Sequence, residues 1–216
     1  MDEHTAASTL TAKATVSVRG SVATELWVIW AEIAIEQSRL AREARPVWVA
    51  QREAGEEWDM NIELKPAMVA ITACAASLDG FEALVKQEGV QVPQPPGKEP
   101  GRADWIWATL RASFDVKQHT NRWLPALNRL FALRNVTGGG LVHPKTVFDD
   151  PSKEHPVVPG VSVTRATYTT ETADEALALL REIYGACRGS VLPTHTALAN
   201  RIANLDATLA KLTASD

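Results

Sequence analysis

The stretch LKPAMVAITACAASLDGFEALVKQE, Leu64 to Glu88, decides the fold class. Met68, Ile71, Ala75, Leu78 and then Leu84 or Val85 recur at steps of three and four, which is one face of a 3.6-residue helix. Ala70, Ala73 and Ala76 are small enough to let a second helix come close. Gly80 in the helix interior costs roughly 1 kcal/mol relative to alanine, so its neighbourhood has a packing use for a small residue. A helix of this kind needs other helices to bury it.

The flanking sequence supplies them. On the N-terminal side, Leu26, Ile29, Ile33 and Leu40 share a helical face between Ser21 and Arg45, with Trp27 and Trp30 beside it. Ser21 is a fair cap, and Pro46 is expected to stop that helix. Residues 46–65, with Trp48 and Trp58, read as an acidic irregular connection. Residues 1–20 are rich in Thr, Ala and Ser and read as a polar, partly mobile tail. Val16 and Val18 alternate with polar neighbours, as do Val161 and Val163 in GVSVTRATY, so a short two-stranded ribbon is expected between them.

On the C-terminal side, the Pro- and Gly-rich run at 89–104 is a loop. Asp104 caps a third helix that carries Trp107, Leu110 and Phe114. Asn121 caps a fourth, with Leu127, Leu130 and Phe131 on its face and Pro125 in its first turn. The glycines after Thr137 end it. Thr172-Ala-Asp-Glu175 is a capping box for a helix that carries Leu177, Leu180, Ile183 and Tyr184. Pro193 opens the last helix, with Leu198, Ile202, Leu205 and Leu209. No alternation of strands and helices occurs. The expectation is an all-α helical bundle of about five to six helices, with the short ribbon added, forming one domain over residues 21–216.

Composition narrows the function classes. The 216 residues are 45% apolar and carry a formal net charge of -4, so global charge gives no support for nucleic-acid binding and any such role needs a local basic patch. Cys74 and Cys187 lie far apart and read as small buried residues in a reducing compartment; with so few thiols, a structural zinc site lacks ligands. The N-terminus has no long apolar core behind basic residues, and no stretch approaches the ~20 apolar residues of a membrane span. The expectation is a cytoplasmic protein with no membrane partner, no metal and no cofactor. The phosphate-loop, nucleophile-elbow and zinc-protease patterns are all missing.

The residues with the most chemistry lie in LFALRNVTGGGLVHPKTVFDD, Leu130 to Asp150. Arg134 is a permanent forked cation suited to phosphate. His143 titrates near neutrality and can move protons. With Asn135 beside them, they are the parts for cleaving RNA without a metal. Histidine would exchange a proton with a ribose 2′-hydroxyl or the leaving oxygen, and arginine would hold the phosphate. Eight residues separate Arg134 from His143, and the three glycines between them let the chain turn back. The same residues have a structural reading. Arg134 and Asn135 can satisfy carbonyls at a helix end, while His143 bonds loop backbone. Spacing alone leaves both readings open. His119, His155 and His195 read as capping, loop or helix-end residues, and the tryptophans at helical spacing read as core or interface.

LFALRNVTGGGLVHPK resembles the signature of the HEPN superfamily, whose motif is an arginine, usually a polar neighbour, and a histidine a few residues on. AMVAITACAASLDGFEALVKQE is similar to the family's Ala-rich helix with an acidic residue near its middle, here Asp79 or Glu82. ATYTTETADEALALLREI is similar to the helix after the motif, which often begins with a tyrosine. The glycines look like an insertion that lengthens the motif beyond the family's usual spacing. The resemblance implies a helical bundle, commonly a homodimer with the motif at the dimer groove. It implies a metal-independent ribonuclease or RNA-binding protein of the toxin–antitoxin or phage-defence kind. Arg134, Asn135 and His143 would be catalytic, Lys145 and Arg165 would add positive potential for RNA, and an antitoxin or other protein would be a partner. The alternative expectation is a catalytically inactive helical scaffold that acts through dimerisation or protein binding.

Overall fold

The computed structural model describes residues 3–137 and 166–214, with side chains described for residues 26–119, 121–135 and 166–214. Seven α-helices are present among the described residues: α1 Glu3–Glu53, α2 Asn61–Gln87, α3 Arg102–Ser113, α4 Thr120–Thr137, α5 Thr170–Cys187, α6 Thr196–Asn204 and α7 Asp206–Thr213. A 3₁₀ turn, Lys117–His119, precedes α4. No strand occurs among these residues; Phe114 and Val191 form one isolated antiparallel bridge. The all-α bundle expected from helical periodicity is the observed architecture.

The centre of the bundle is α2. It packs against α1 along its length and also against α3, α4 and α5. Ala67, Ala70, Ile71, Ala73, Cys74, Ala75, Leu78, Phe81, Leu84 and Val85 are all buried, a wider face than one helical stripe because α2 has neighbours on several sides. By length and composition α2 is also apolar enough to cross a membrane, contrary to the expectation that no stretch comes near a span. A core helix passes the same test, and 61% of that apolar window is buried inside the fold.

Gly80 is the predicted close approach. A Cβ built on it would lie 2.8 Å from Trp27 Cβ and 3.3 Å from Trp27 Cα. Trp27 is fully buried and packs edge-on against Phe81 and Tyr184, with ring centroids 5.3 Å away in each case. Ser77 Oγ sits 2.5 Å from the Trp27 carbonyl oxygen and 2.6 Å from the Tyr184 hydroxyl, which joins α1, α2 and α5 through one buried polar chain. Burial pushes the Cys74 thiol up to about 12 and raises Cys187 as well, so both cysteines act as small apolar core residues.

Several element boundaries differ from the sequence reading. α1 starts at Glu3, inside the stretch expected as a tail, and replaces the strand expected at Val16 and Val18. Two valines in an Ala/Thr/Ser run cost a helix only a few tenths of a kcal/mol each, too little to impose a strand. The ribbon's other half, residues 160–165, lies outside the described residues. α1 also runs through Pro46 to Glu53, so Trp48 is helical. α5 begins at Thr170, one turn ahead of the expected box, with Thr169 as its cap. The last helix is two, α6 and α7, with a break at Leu205. Arg188 at the end of α5 holds that break in place. It donates Nε to Asp206 Oδ1 at 2.8 Å and Nη2 to Oδ2 at 3.0 Å, and Asp206 opens α7 where a negative charge suits the helix dipole.

Candidate functional site

α4 brings the motif arginine to the α2 surface. Trp123, Leu127, Leu130 and Phe131 are buried on the face that docks α4, and Arg134 follows in the last turn. Its guanidinium carbon lies 4.7 Å from the Phe131 ring centroid. Nη1 donates to Asp79 Oδ2, and Nη2 lies 3.5 Å from Asn135 Oδ1. The Arg134 side chain keeps 26% exposure and Asn135 is exposed. Asp79 is one of the two acidic residues singled out in the α2 sequence, and it holds the arginine in place.

Asp79 also serves α3. Arg102 donates Nε to Asp79 Oδ1 and Nη2 to Glu82 Oε2, both at 2.6 Å. Glu82 in turn takes Lys86 Nζ at 2.5 Å and Thr109 Oγ1 at 3.3 Å. Burial works against the Glu82 carboxylate, but hydrogen bonds from Lys86 and Arg102 more than offset it and hold its pKa below the usual range. The same carboxylates keep the half-buried Arg102 charged.

α5 fixes the other side of the motif helix. Tyr168, immediately before the Thr169 cap, donates its hydroxyl to the Leu133 carbonyl at 2.9 Å. That bond satisfies one of the C-terminal carbonyls of α4, next to Arg134. Burial raises the Tyr168 phenol to about 12, so it stays a donor throughout the neutral range. This is the tyrosine noted at the start of the helix after the motif.

The structure therefore brings Arg134, Asn135, Asp79 and Tyr168 to one end of α4. His143, Lys145 and Arg165 lie outside the described residues, as does His155. Among the residues with described side chains, His119 and His195 have local partners. His119 stacks on Trp123 at 4.2 Å between ring centroids, with Nδ1 3.6 Å from Glu182 Oε1. His195 Nε2 donates to the Ala112 carbonyl at 2.9 Å. Among the described residues, no group of three or more His, Cys, Asp or Glu side chains is placed to hold a metal ion. Trp27, Trp48, Trp107 and Trp123 are core residues, whereas Trp30 and Trp58 are partly exposed.

A second charged junction was not foreseen from the sequence. Buried Glu63 on α2 accepts from Arg45 Nη2 at 2.7 Å, Trp48 Nε1 at 2.9 Å and Thr170 N at 2.8 Å. Arg45 continues to Glu171, with Nη2 2.6 Å from Oε2. The Arg45 hydrogen bond draws the Glu171 carboxyl down to about 2. Every oxygen of Glu63 is satisfied from within the fold, so the junction reads as a structural tie between α1, α2 and α5.

The architecture is thus an all-α bundle with an anchored arginine at the end of one helix. No protein-family model matches the chain, and no curated protein or solved structure matches it either.

Proposed function

We propose that the chain is a HEPN-like protein, a metal-independent endoribonuclease or RNA-binding protein of the defence or toxin type. The observation that carries this reading is Arg134. It is a permanent cation at a helix end, clamped by Asp79, and still a quarter exposed. An arginine fixed in this way meets a phosphate with little ordering cost. In the proposed reaction, His143 takes the proton from a ribose 2′-hydroxyl or returns one to the departing 5′-oxygen. The 2′-oxygen attacks phosphorus as the 5′-oxygen leaves, and Arg134 and Asn135 hold the non-bridging oxygens. Lys145 and Arg165 add RNA contacts. A homodimer, an antitoxin-like or other protein partner, and a cytoplasmic, membrane-free setting belong to the same proposal.

The test is RNA cleavage with EDTA present. His143→Ala should lower the rate by about 10²-fold or more while leaving thermal unfolding unchanged. Equal cleavage by wild type and His143→Ala removes the proposed role of His143.

A second reading, a catalytically silent scaffold, is favoured by a different observation. Leu26, Ile29, Trp30 and Val47 on α1, and Ile62 and Val69 on α2, are large apolar residues left between 37% and 51% exposed. Faces of this kind are used for association.

A further inference from the structure

A cleft of about 410 Å³ lies between the Pro-rich loop and helices α3 and α4. Its volume falls within the roughly 300–1,000 Å³ of small-molecule sites. Pro93, Pro95 and Pro96 form one wall, and Trp107 and Leu124 contribute to the floor. Both sides are fixed before any ligand arrives. The prolines have a locked φ. Pro95 is buried, Val90 belongs to the core and Val92 packs against it. Trp107 is 5% exposed and meets Trp123 edge-on, with ring centroids 6.1 Å apart. Ala108 and Ala112, one turn apart on α3, line the space with little side chain to fill it. Two charged side chains also line the cleft, and they are not equivalent. Asp104 stands in the first turn of α3, where the helix dipole suits a negative charge, and its Oδ2 accepts from the Gly101 N–H at 2.8 Å. Arg111 is exposed two turns further on, with its guanidinium carbon 5.9 Å from the Trp107 ring centroid. It has no ion pair among the described residues. The carboxylate is engaged by its own helix end, whereas the guanidinium has no counter-charge.

We propose that this cleft binds a small aromatic carboxylic acid, with its ring between the proline wall and the α3 floor and its carboxylate toward Arg111. Flat rings pack well on proline rings, the pairing by which aromatic-lined grooves hold Pro-rich peptides. The apolar lining supplies most of the affinity through buried area. Arg111 sets the sign of the charge that the ligand carries, because an exposed guanidinium can turn its fork to an incoming carboxylate. The site shares no residue with the Arg134 end of α4, so it stands apart from the RNA reading.

The experiment follows the tryptophan indole N–H resonances of the isotope-labelled full chain during titration, with the Trp107 resonance identified by its loss in Trp107→Phe. The probes are naphthalene-2-carboxylate and its neutral isostere, naphthalene-2-carboxamide. The acid should shift the Trp107 resonance saturably, with a Kd below about 1 mM, and the amide should bind about threefold to fivefold more weakly, the worth of one exposed ion pair. Arg111→Gln should weaken the acid by about the same factor and leave the amide within about twofold. Because Arg111 is exposed, this variant should unfold like wild type. Ala108→Leu puts a larger side chain into the cleft and should abolish saturable binding of both probes. Thermal unfolding of the same samples shows whether each variant is folded. If Ala108→Leu does not fold, the two probes on wild type and Arg111→Gln decide. No saturable Trp107 shift with the acid, equal affinity for acid and amide, or an undiminished preference for the acid in Arg111→Gln overturns the proposal. Wild-type binding of the acid by folded Ala108→Leu overturns it as well.

Discussion

Gly80 shows how one residue sets the spacing of two helices. Two effects oppose each other when it becomes alanine. Helix propensity favours alanine by roughly 1 kcal/mol. Against that, the added Cβ would lie 2.8 Å from Trp27 Cβ, with the Trp27 backbone just behind at 3.3 Å. Trp27 cannot swing away, because Phe81 and Tyr184 hold its ring and Ser77 holds its carbonyl. Overpacking in a closed core costs about 1–3 kcal/mol, so after the propensity gain Gly80→Ala should be destabilising by up to about 2 kcal/mol in urea unfolding. A gain in stability would show that α1 and α2 have room to separate. At the candidate site, legibility also depends on the single residue. Arg134 and Asn135 stood out because they close a periodic run, and Asp79 only as one of two acidic residues, with Glu82, to which the resemblance of the Ala-rich helix pointed. Arg102 was not readable. It follows a run of prolines and glycines, where a cation ordinarily reads as solvated, and its partners lie 20 and 23 residues earlier on another helix.

Among the elements, α1 and its junction with α2 and α5 depart furthest from local sequence rules. Pro46 lacks the N–H that would reach the Arg42 carbonyl, and a proline inside a helix costs about 3 kcal/mol. Its position is exposed, so the ring lies on the solvent side of α1. Arg45 and Trp48 on either side of it are both bound to Glu63, which holds the helix on course past the proline. A rule that looks four residues away cannot see a tie reaching 15 or 18 residues along the chain. α2 was legible because its apolar period is strong enough to outweigh such local effects, and the break at Leu205 was not, because the Arg188–Asp206 pair that fixes it spans 18 residues. The junction also makes a pH-dependent prediction. Glu63 and Glu171 both have carboxyl pKa values below their ordinary 4.5, Glu171 at about 2. A carboxyl depressed in the folded state contributes stability that is complete above the unfolded value and fades as pH falls towards the folded one. Glu63→Gln should therefore cost about 2–4 kcal/mol at pH 7, since it leaves Arg45 with one partner fewer at a buried site. The gap from wild type should narrow as pH falls below 4.5, as followed by urea unfolding across the acid range. A gap that stays constant with pH would mean that Glu63 acts through shape rather than charge.

The molecule as a whole is organised by two adjoining stripes on α1. Trp27, Ala31, Ala34, Ser38, Ala41 and Trp48 are fully buried and face the bundle. One residue earlier at almost every step come Leu26, Trp30, Ile33, Gln37, Leu40, Ala44 and Val47, spaced alternately by four and three. This second stripe is half exposed or exposed, and between α1 and α2 it opens into a groove formed by Leu40, Ala44, Ile62, Pro66 and Val69. A four-three repeat is the spacing with which one helix packs along another. Ile33 of this stripe packs partly against the core, while Leu26, Trp30 and Val47 stay exposed on one chain, and a second copy presenting the same stripe across a two-fold axis would cover them on both. Sedimentation velocity should then show a dimer whose population rises with protein concentration in the micromolar range. Trp30→Glu combined with Val47→Glu places two like charges in that seam and should weaken association by at least about tenfold. Both side chains are exposed in the monomer, so its unfolding free energy should move by only about 0.5 kcal/mol per site. If wild type sediments as a monomer at every concentration, the stripe does not pair with itself, and dimerisation drops out of both functional readings. If the double variant dissociates yet cleaves RNA with wild-type kinetics, the dimer is separate from the Arg134 chemistry, and the catalytic reading stands on one chain alone.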